Sequence, residues 1–449
     1  MREWLRRNCL DIALAVTVLV TVAPIVQTLM AQQASRMALT AAIWDDRSLW
    51  IDGYPIGLDK AERDDHTYSD KAPGQPILAV PAYATYRALG GEPARVFRPE
   101  GNLGPWMVSI WSCALPAAAL AVMIRRTAAR FDGTSALGVA LAVTFGTLVL
   151  PFSSVLFGHV LAATLAFAGW RLLLAEAPER GRLAMAGALL GAAVLVEYTL
   201  ILAAVACTVH AIWRWRRAAA PFLLGAMPPA VLLALYQWAA FGDPFAFSYS
   251  SSTFGSEAAA TGAAVEIPLA TNAFRVLLGE RGLFITTPVV LAGAVGLGLL
   301  IRASTGHMRS ALAAAAASAA SLVAVQMLWS NPTGGDSPGA RYATAAGVFV
   351  VPGLAYAWTR WRFLCTACAA VGATIMLAAT WTNPLEARGS RGSIGLWGQQ
   401  LLQGEWTPTI YTMWWGPLGN ILLAASTAGA GIGLARVARA RRPIARVEA

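Results

Sequence analysis

Apolar runs of Ala, Leu, Val and Gly recur from Asp11 to Gly433, separated in most places by only a few polar residues. A helix needs about 20 predominantly apolar residues to cross a bilayer, so this spacing predicts a polytopic helical membrane protein. Transmembrane barrels alternate apolar and polar residues over short strands, and these runs do not alternate. Twelve spans are expected: 11–30, 105–124, 136–150, 155–174, 183–196, 198–213, 221–240, 283–301, 310–329, 343–358, 364–381 and 411–435. The stretch 183–213 reads either as two short helices or as one broken element, so the count runs from 11 to 13.

Basic residues fill the gaps that alternate spans leave on one side. Arg2, Arg6 and Arg7 precede the first span; Arg125, Arg126 and Arg130, then Arg180 and Arg182, then Arg214, Arg216 and Arg217 follow in even-numbered gaps. Arg302 and Arg309, Arg360 and Arg362, and the tail with Arg436, Arg439, Arg441, Arg442 and Arg446 complete the series. The positive-inside rule then places both termini in the cytoplasm.

Composition agrees with a bilayer protein: 57% of the 449 residues are hydrophobic and 13% charged, with a mean hydropathy of +0.55. An ordinary soluble enzyme carries about twice that charged fraction. The net charge of +10 is spent on topology rather than on a nucleic-acid surface. Cys9, Cys113, Cys207, Cys365 and Cys368 lie in or beside apolar runs, where cysteine acts as a small hydrophobe. Cys365-x-x-Cys368 has redox spacing but opens a hydrophobic helix without a second ligand pair. No Walker A sequence, dinucleotide fingerprint, His-Glu-x-x-His or nucleophile elbow occurs.

The chain reads as one integral membrane domain over 1–449, with its polar chemistry on the outer side. The first external loop, 31–104, carries ten of the 24 acids, among them Asp45, Asp46, Asp52, Asp59, Asp64, Asp65, Asp70 and Glu100. Loops longer than about 12–15 residues are uncommon unless functional or disordered, and this one holds helical pattern, aromatics and prolines, so it is expected to fold onto the membrane surface with helices of its own. Further external segments are 241–282, 330–342 and 382–410. No internal repeat is present.

The densest chemistry lies in Asp64-Asp-His-Thr-Tyr-Ser-Asp-Lys-Ala-Pro-Gly-Gln-Pro76, which leads into an apolar helix. The chain's two lysines are Lys60 and Lys71. At a helix start on the outer face, Lys71 suits a phosphate as a compact point charge, with Asp70 to position it or a sugar hydroxyl. The competing reading is a solvated loop ion pair.

A first helix, a long acidic outer loop ending in Tyr68-Ser-Asp-Lys-Ala-Pro-Gly74, and then a many-helix body resemble the polyprenyl-phosphate-dependent glycosyltransferases of the GT-C superfamily. The nearest branch is the family 39-like one, which includes aminoarabinose transferases and protein O-mannosyltransferases. In that branch an acidic-Lys-Pro-Pro element closes the first loop, and Asp70-Lys71-Ala72-Pro73 matches it with one substitution. The branch places its catalytic acid directly after the first helix, where this chain has Gln32-Gln-Ala-Ser-Arg36. The base must therefore come from later in the loop. The candidates are Asp45 or Asp46 in Trp44-Asp-Asp-Arg47, Asp52, Asp64, Asp65 and Asp70; Asp52 comes first, because Leu49-Trp50-Ile51 could dock and desolvate it, with Asp65 close behind. For each acid the plain alternative is a hydrated acidic face.

Two further constellations fall at outward helix ends. His159 starts a helix in Phe157-Gly-His-Val160, where the branch often has another acid, and is read as a phosphate contact or as a structural histidine. Glu197-Tyr198 interrupts an apolar run; an ionisable group at a helix centre costs roughly 2.5–3.5 kcal/mol on insertion scales, so Glu197 needs a partner or a wet cavity. The loop 329–342 is rich in Gly and Pro and carries Asp336, Arg341 and Tyr342. Irregular backbone at membrane level is tolerated where it lines a cavity, and the Arg341 fork fits a lipid phosphate, unless Asp336 and Arg341 simply pin the turn. Arg281, before the next span, has the same two readings.

The resemblance implies transfer of a sugar from a polyprenyl-phosphate donor to a lipid, glycan or protein acceptor, with inversion, at the outer face of a bacterial inner membrane. Lys71, Arg341, His159 and Arg281 would meet the donor phosphate, and Tyr68, Tyr198, Glu197, Asp336 and Tyr342 would line the cavity. The loop acids offer Mg²⁺ or Mn²⁺ no defined ligand spacing, so no metal or cofactor is assigned. The alternative of another class is a transporter or flippase for a lipid-linked or anionic solute.

Overall fold

The computed structural model describes residues 2–57, 59–98, 103–252, 268–329, 331–385 and 392–440. Glu100, Arg441, Arg442, Arg446 and the portions 253–267 and 386–391 of the expected outer segments lie outside them.

The described chain is a bundle of apolar helices, several of which carry arginines in their last turn, among them Arg125, Arg214, Arg302 and Arg360. Five helical stretches are long and apolar enough to cross a membrane, namely Leu103–Ala128, Tyr198–Phe241, Gly306–Leu328, Arg362–Trp381 and Leu418–Ala440. A sixth forms if Leu269–Thr286 and Val289–Ala303, bent by 93° at their junction, count as one span. Length and composition thus do not resolve twelve separate spans.

The reason is local. The expected span 136–150 stops as a helix at Phe145, 283–301 breaks at Thr287-Pro288, and 343–358 divides into Thr344–Phe349 and Val351–Arg360. The ambiguous stretch 183–213 resolves into Arg180–Val196 and Ile201–Trp215, separated by an extended Glu197 (φ −149°, ψ 111°) and a short turn. The stretch Tyr198–Phe241 is itself interrupted at Arg216, whose φ is +50°.

Small residues let these helices touch. A Cβ on Gly187 would collide with the Phe222 carbonyl oxygen, and one on Gly225 with that of Ala184, so Arg180–Val196 and Ala220–Phe241 pack backbone against backbone. The buried Asp11 carboxylate accepts from Arg125 Nε and from Arg126 Nε, the latter at 2.8 Å, tying the first helix (Arg2–Val22) to Leu115–Ala128.

The first external loop is more enclosed than the sequence suggests. Its helix Ala31–Ala41 is buried from Gln32 through Ala41 rather than lying on a surface. It is followed by an antiparallel hairpin, β1 (Lys60–Arg63) and β2 (His66–Ser69), and by the helix Gly74–Ala88. Asp64 and Asp65 form the hairpin connection with φ of +50° and +62°, the positive-φ pair that a two-residue turn requires. Asp45 accepts from Tyr83 Oη at 2.6 Å and pairs with Arg87, which pegs the loop to its last helix.

Candidate active site

The sequence Asp70-Lys-Ala-Pro-Gly74 is pressed into the bundle. A Cβ on Gly74 would stand 2.6 Å from the Leu195 carbonyl carbon and oxygen, so only glycine permits this helix start to rest on the end of Arg180–Val196. Asp70 and Lys71 are consequently 1% and 3% exposed.

Lys71 Nζ donates to Asp59 Oδ1 at 2.6 Å and to Asp70 Oδ2 at 3.0 Å, and stands 5.3 Å from the centre of the Tyr249 ring. Asp70 Oδ2 also accepts from Ser252 Oγ at 3.1 Å, and the Asp70 carbonyl from Ser248 Oγ at 2.7 Å. Asp70 Oδ1 is buried and has no hydrogen-bond partner among the described residues. Burial pushes the Asp70 carboxyl above its ordinary range; Lys71 opposes the shift and the neighbouring Asp59 adds to it.

Arg341 approaches from the far side of the same hollow. Gly334 and Gly335 hold φ of +78° and +119°, and a Cβ on Gly334 would lie 2.9 Å from Arg341 Nε, so the glycine pair shapes the loop and leaves room for the guanidinium. The loop is fastened by Gln326 Oε1, which accepts from Tyr342 N at 2.9 Å, and by Arg281 Nη1, which donates to the Ser337 carbonyl at 3.0 Å. The Arg341 guanidinium lies 5.7 Å from the Phe157 ring centre and 5.2 Å from that of Tyr342.

Between these groups is a cavity of about 450 Å³, with Asp59, Asp70, Lys71, Tyr249, Asp336, Arg341 and Tyr342 on its wall, and Gln32 from the buried first-loop helix. Two cations and three carboxylates therefore share one hollow with aromatic faces.

Behind the wall lies a second buried group. Glu197 Oε2 is 3.5 Å from Arg36 Nη2 and 3.3 Å from His159 Nδ1, with all three side chains nearly inaccessible. His159 rests edge-on against Phe157 and Tyr342, both of which line the cavity. Gln75 Nε2 fixes that segment by donating to the Phe157 carbonyl at 3.1 Å. His159 Nε2 and Arg36 Nε and Nη1 have no hydrogen-bond partner.

The structure thus brings Asp70, Lys71, Asp336, Arg341 and Tyr342 to one cavity, and places His159 and Glu197 directly behind it. Tyr198 lies alongside, its hydroxyl 3.3 Å from Ser248 Oγ and accepting from Gln237 Nε2 at 3.0 Å. Other candidates sit elsewhere. Asp52 is on the hairpin surface, where its carboxylate meets His66 Nδ1 at 2.7 Å and the Thr67 amide, while Trp50 stacks on His66. Asp64 and Asp65 line a shallow depression at the hairpin turn. Tyr68 packs against Phe241, and Arg281 braces the 331–342 loop without lining the cavity. No ion pair joins Asp336 to Arg341 among the described residues.

Arg36, Asp59 and Tyr249 escaped the sequence reading. Arg36 carried a signal, being the one charge in the helix Ala31–Ala41. Among the described residues no group of three or more His, Cys, Asp or Glu side chains is disposed to hold a metal ion.

No family model and no curated protein sequence matches the chain. Its likenesses are to solved structures. ArnT from Cupriavidus metallidurans, in its structure bound to undecaprenyl phosphate, superposes with a TM-score of 0.50 at 15% identity, over 97% of this chain and 73% of ArnT. The chain shares its overall fold with that protein. The oligosaccharyltransferase of Archaeoglobus fulgidus in its apo form gives the same TM-score of 0.50 at 13% identity, over 95% of this chain and 56% of that one, so the chain spans little more than half its length. Among the described residues, the helices long and apolar enough to cross a bilayer make this an integral membrane protein.

Proposed function

We propose that the cavity transfers a sugar from a polyprenyl-phosphate-linked donor to a hydroxyl of a lipid, glycan or protein acceptor at the extracytoplasmic face of the membrane. The observation that carries this reading is the meeting of Lys71 and Arg341 on the wall of one cavity that also holds the partly unpaired carboxylate of Asp70. ArnT, similar in fold, has been solved with undecaprenyl phosphate bound, which supports a phosphate on a polyprenyl chain as the group these cations receive.

In this reading Lys71 and Arg341 hold the donor phosphate, and the lipid tail extends between helices. The acceptor oxygen attacks the anomeric carbon as the bond from that carbon to the phosphate oxygen breaks. The electron pair leaves with the phosphate, whose growing charge the two cations stabilise, and direct displacement inverts the anomeric centre. Such electrostatic stabilisation is usually the largest contribution to a rate. The acceptor proton passes to the Asp70 carboxylate, whose Oδ1 has no hydrogen-bond partner among the described residues. Among the loop acids Asp70 suits this role better than Asp52, Asp64 or Asp65, because it lines the cavity and burial raises its proton affinity. A positioned base contributes about 10²–10⁴-fold.

Asp59 orients Lys71, and the Arg36–Glu197–His159 group backs the wall on which Phe157 and Tyr342 sit. The experiment is a transfer assay with purified protein in lipid vesicles, using a panel of polyprenyl-phosphate sugars and identifying products by mass spectrometry. Covalent transfer by the unaltered chain, lost in Asp70→Asn and kept in Asp52→Asn, supports both the reaction and the base; no transfer from any donor opposes the reading.

A further inference from the structure

A second cavity of about 240 Å³ opens beside the first, and Met30 and Leu385 line both. Three outer chain segments build it: residues 27–30 after the first helix, 382–385 after Arg362–Trp381, and 400–408. They are stitched together through the main chain. Val26 N donates to the Pro408 carbonyl at 2.8 Å, Ile410 N to that of Pro24 at 2.9 Å, and Thr407 N to that of Trp381 at 2.8 Å. The hollow therefore has fixed walls.

Its chemistry differs from that of its neighbour. The polar lining includes amides and hydroxyls, Gln27, Thr28, Asn383 and Thr407 among them, and one charged side chain among the described residues, Glu405. Asn383 uses Oδ1 to accept from Leu385 N at 3.1 Å, which orients the amide, and its NH₂ makes no hydrogen bond among the described residues. Gln27 uses Nε2 toward Ser154, leaving Oε1 as an acceptor. Trp406 adds a rigid aromatic surface. Its Nε1 donates to the Leu401 carbonyl at 3.1 Å and its ring stacks on Trp381 with centres 5.4 Å apart.

Oriented amide donors and acceptors beside a fixed indole match a hydroxyl-bearing ring, since hydroxyls both give and accept hydrogen bonds and the C–H faces of such a ring pack on aromatic rings. The Glu405 carboxylate on the wall disfavours a phosphate or carboxylate. Ligand pockets for drug-sized molecules take about 300–1,000 Å³, so this is a subsite for one part of a longer molecule. We infer that this cavity binds a neutral sugar of a glycan acceptor and presents the next hydroxyl across Met30 and Leu385 to the Lys71 cavity. This rests on the glycosyl-transfer reading above and narrows its acceptor to a glycan.

The test uses the full chain in detergent, with saturation-transfer NMR of neutral disaccharides (chitobiose, maltose, lactose and mannobiose) and, separately, equilibrium binding of undecaprenyl phosphate. The expected result is saturable binding of at least one disaccharide, weakened tenfold or more in Trp406→Ala and in Asn383→Ala, with undecaprenyl phosphate binding unchanged in both. Lys71→Ala should show the opposite pattern. Retained undecaprenyl phosphate binding reports that the cavity variants fold. The inference is overturned if the unaltered chain binds undecaprenyl phosphate but no disaccharide, if disaccharide binding is indifferent to both variants, or if they weaken both ligands alike. Failure of the unaltered chain to bind undecaprenyl phosphate would instead strike the donor assignment on which the inference stands.

Discussion

Glu197 receives Arg36 at 3.5 Å where one membrane helix ends in extended backbone, so a residue from the first outer loop supplies the counter-charge for an acid within the bundle. His159 approaches the same oxygen at 3.3 Å. Removing one partner of a buried pair leaves an uncompensated charge and costs about 3–5 kcal/mol. Glu197→Ala should lower thermal stability in detergent by that order, and Arg36→Met combined with Glu197→Leu should recover much of the loss. Equal destabilisation by the single and double variants would show that the two do not act as a pair.

Gly74 sets how closely the Lys71 element approaches the bundle. Gly74→Ala forces a methyl group against the Leu195 carbonyl, an overpacking that costs typically about 1–3 kcal/mol. Stability should fall, and affinity for undecaprenyl phosphate with it, because Lys71 is carried on the displaced segment. Unchanged melting and unchanged affinity would show that the contact yields freely.

Asp52 is tied to the hairpin. Burial acts to raise its proton affinity, but the hydrogen bonds with His66 and Thr67 outweigh burial and hold the carboxyl below the ordinary 3.8. A depressed folded-state value contributes stability that is complete above about pH 4 and is lost as pH falls through the lower folded value. Hydrogen exchange at the Thr67 amide should accelerate below that range in the unaltered chain, and Asp52→Asn should remove the pH step. A step that persists in Asp52→Asn would assign it to another group.

Asp70 shifts the other way. Burial raises its carboxyl above 3.8, with Asp59 adding to the shift and Lys71 opposing it. A base must be ionised, so the acid limb of the kcat/KM profile should rise through a value above the ordinary carboxylate range. Asp59→Asn removes the neighbouring negative charge and should move that limb to lower pH. A limb that stays in place would separate Asp70 from proton removal.

Several parts of this site were legible in the sequence. Lys71 stood out because the chain has only two lysines, and Arg341 because its Gly-rich loop sits at a helix end. Glu197 and His159 were visible singly, as polar residues interrupting apolar runs, but their mutual contact depends on a helix break whose geometry no local pattern encodes. Arg36 is one charge in a short segment whose burial the sequence does not reveal; once the helix is buried along its length, that charge must have a partner. Asp52 drew weight from the apolar residues beside it. Those residues dock the hairpin, with Ile51 in a satellite core, whereas the carboxylate turns outward to His66. The exact span count is not confirmed, for a related reason: apolar composition continues through Thr287-Pro288 and Val350, where the helices break.

The decisive measurement is sugar transfer from a polyprenyl-phosphate donor by the purified chain in lipid vesicles, compared with Lys71→Ala and Arg341→Ala. A cavity built around the donor phosphate requires a loss of at least about a hundredfold in each variant, the scale on which single electrostatic donors act, with melting temperatures near that of the unaltered chain. Transfer at the unaltered rate in both variants, or vesicle uptake of the donor without any covalent product, would contradict it.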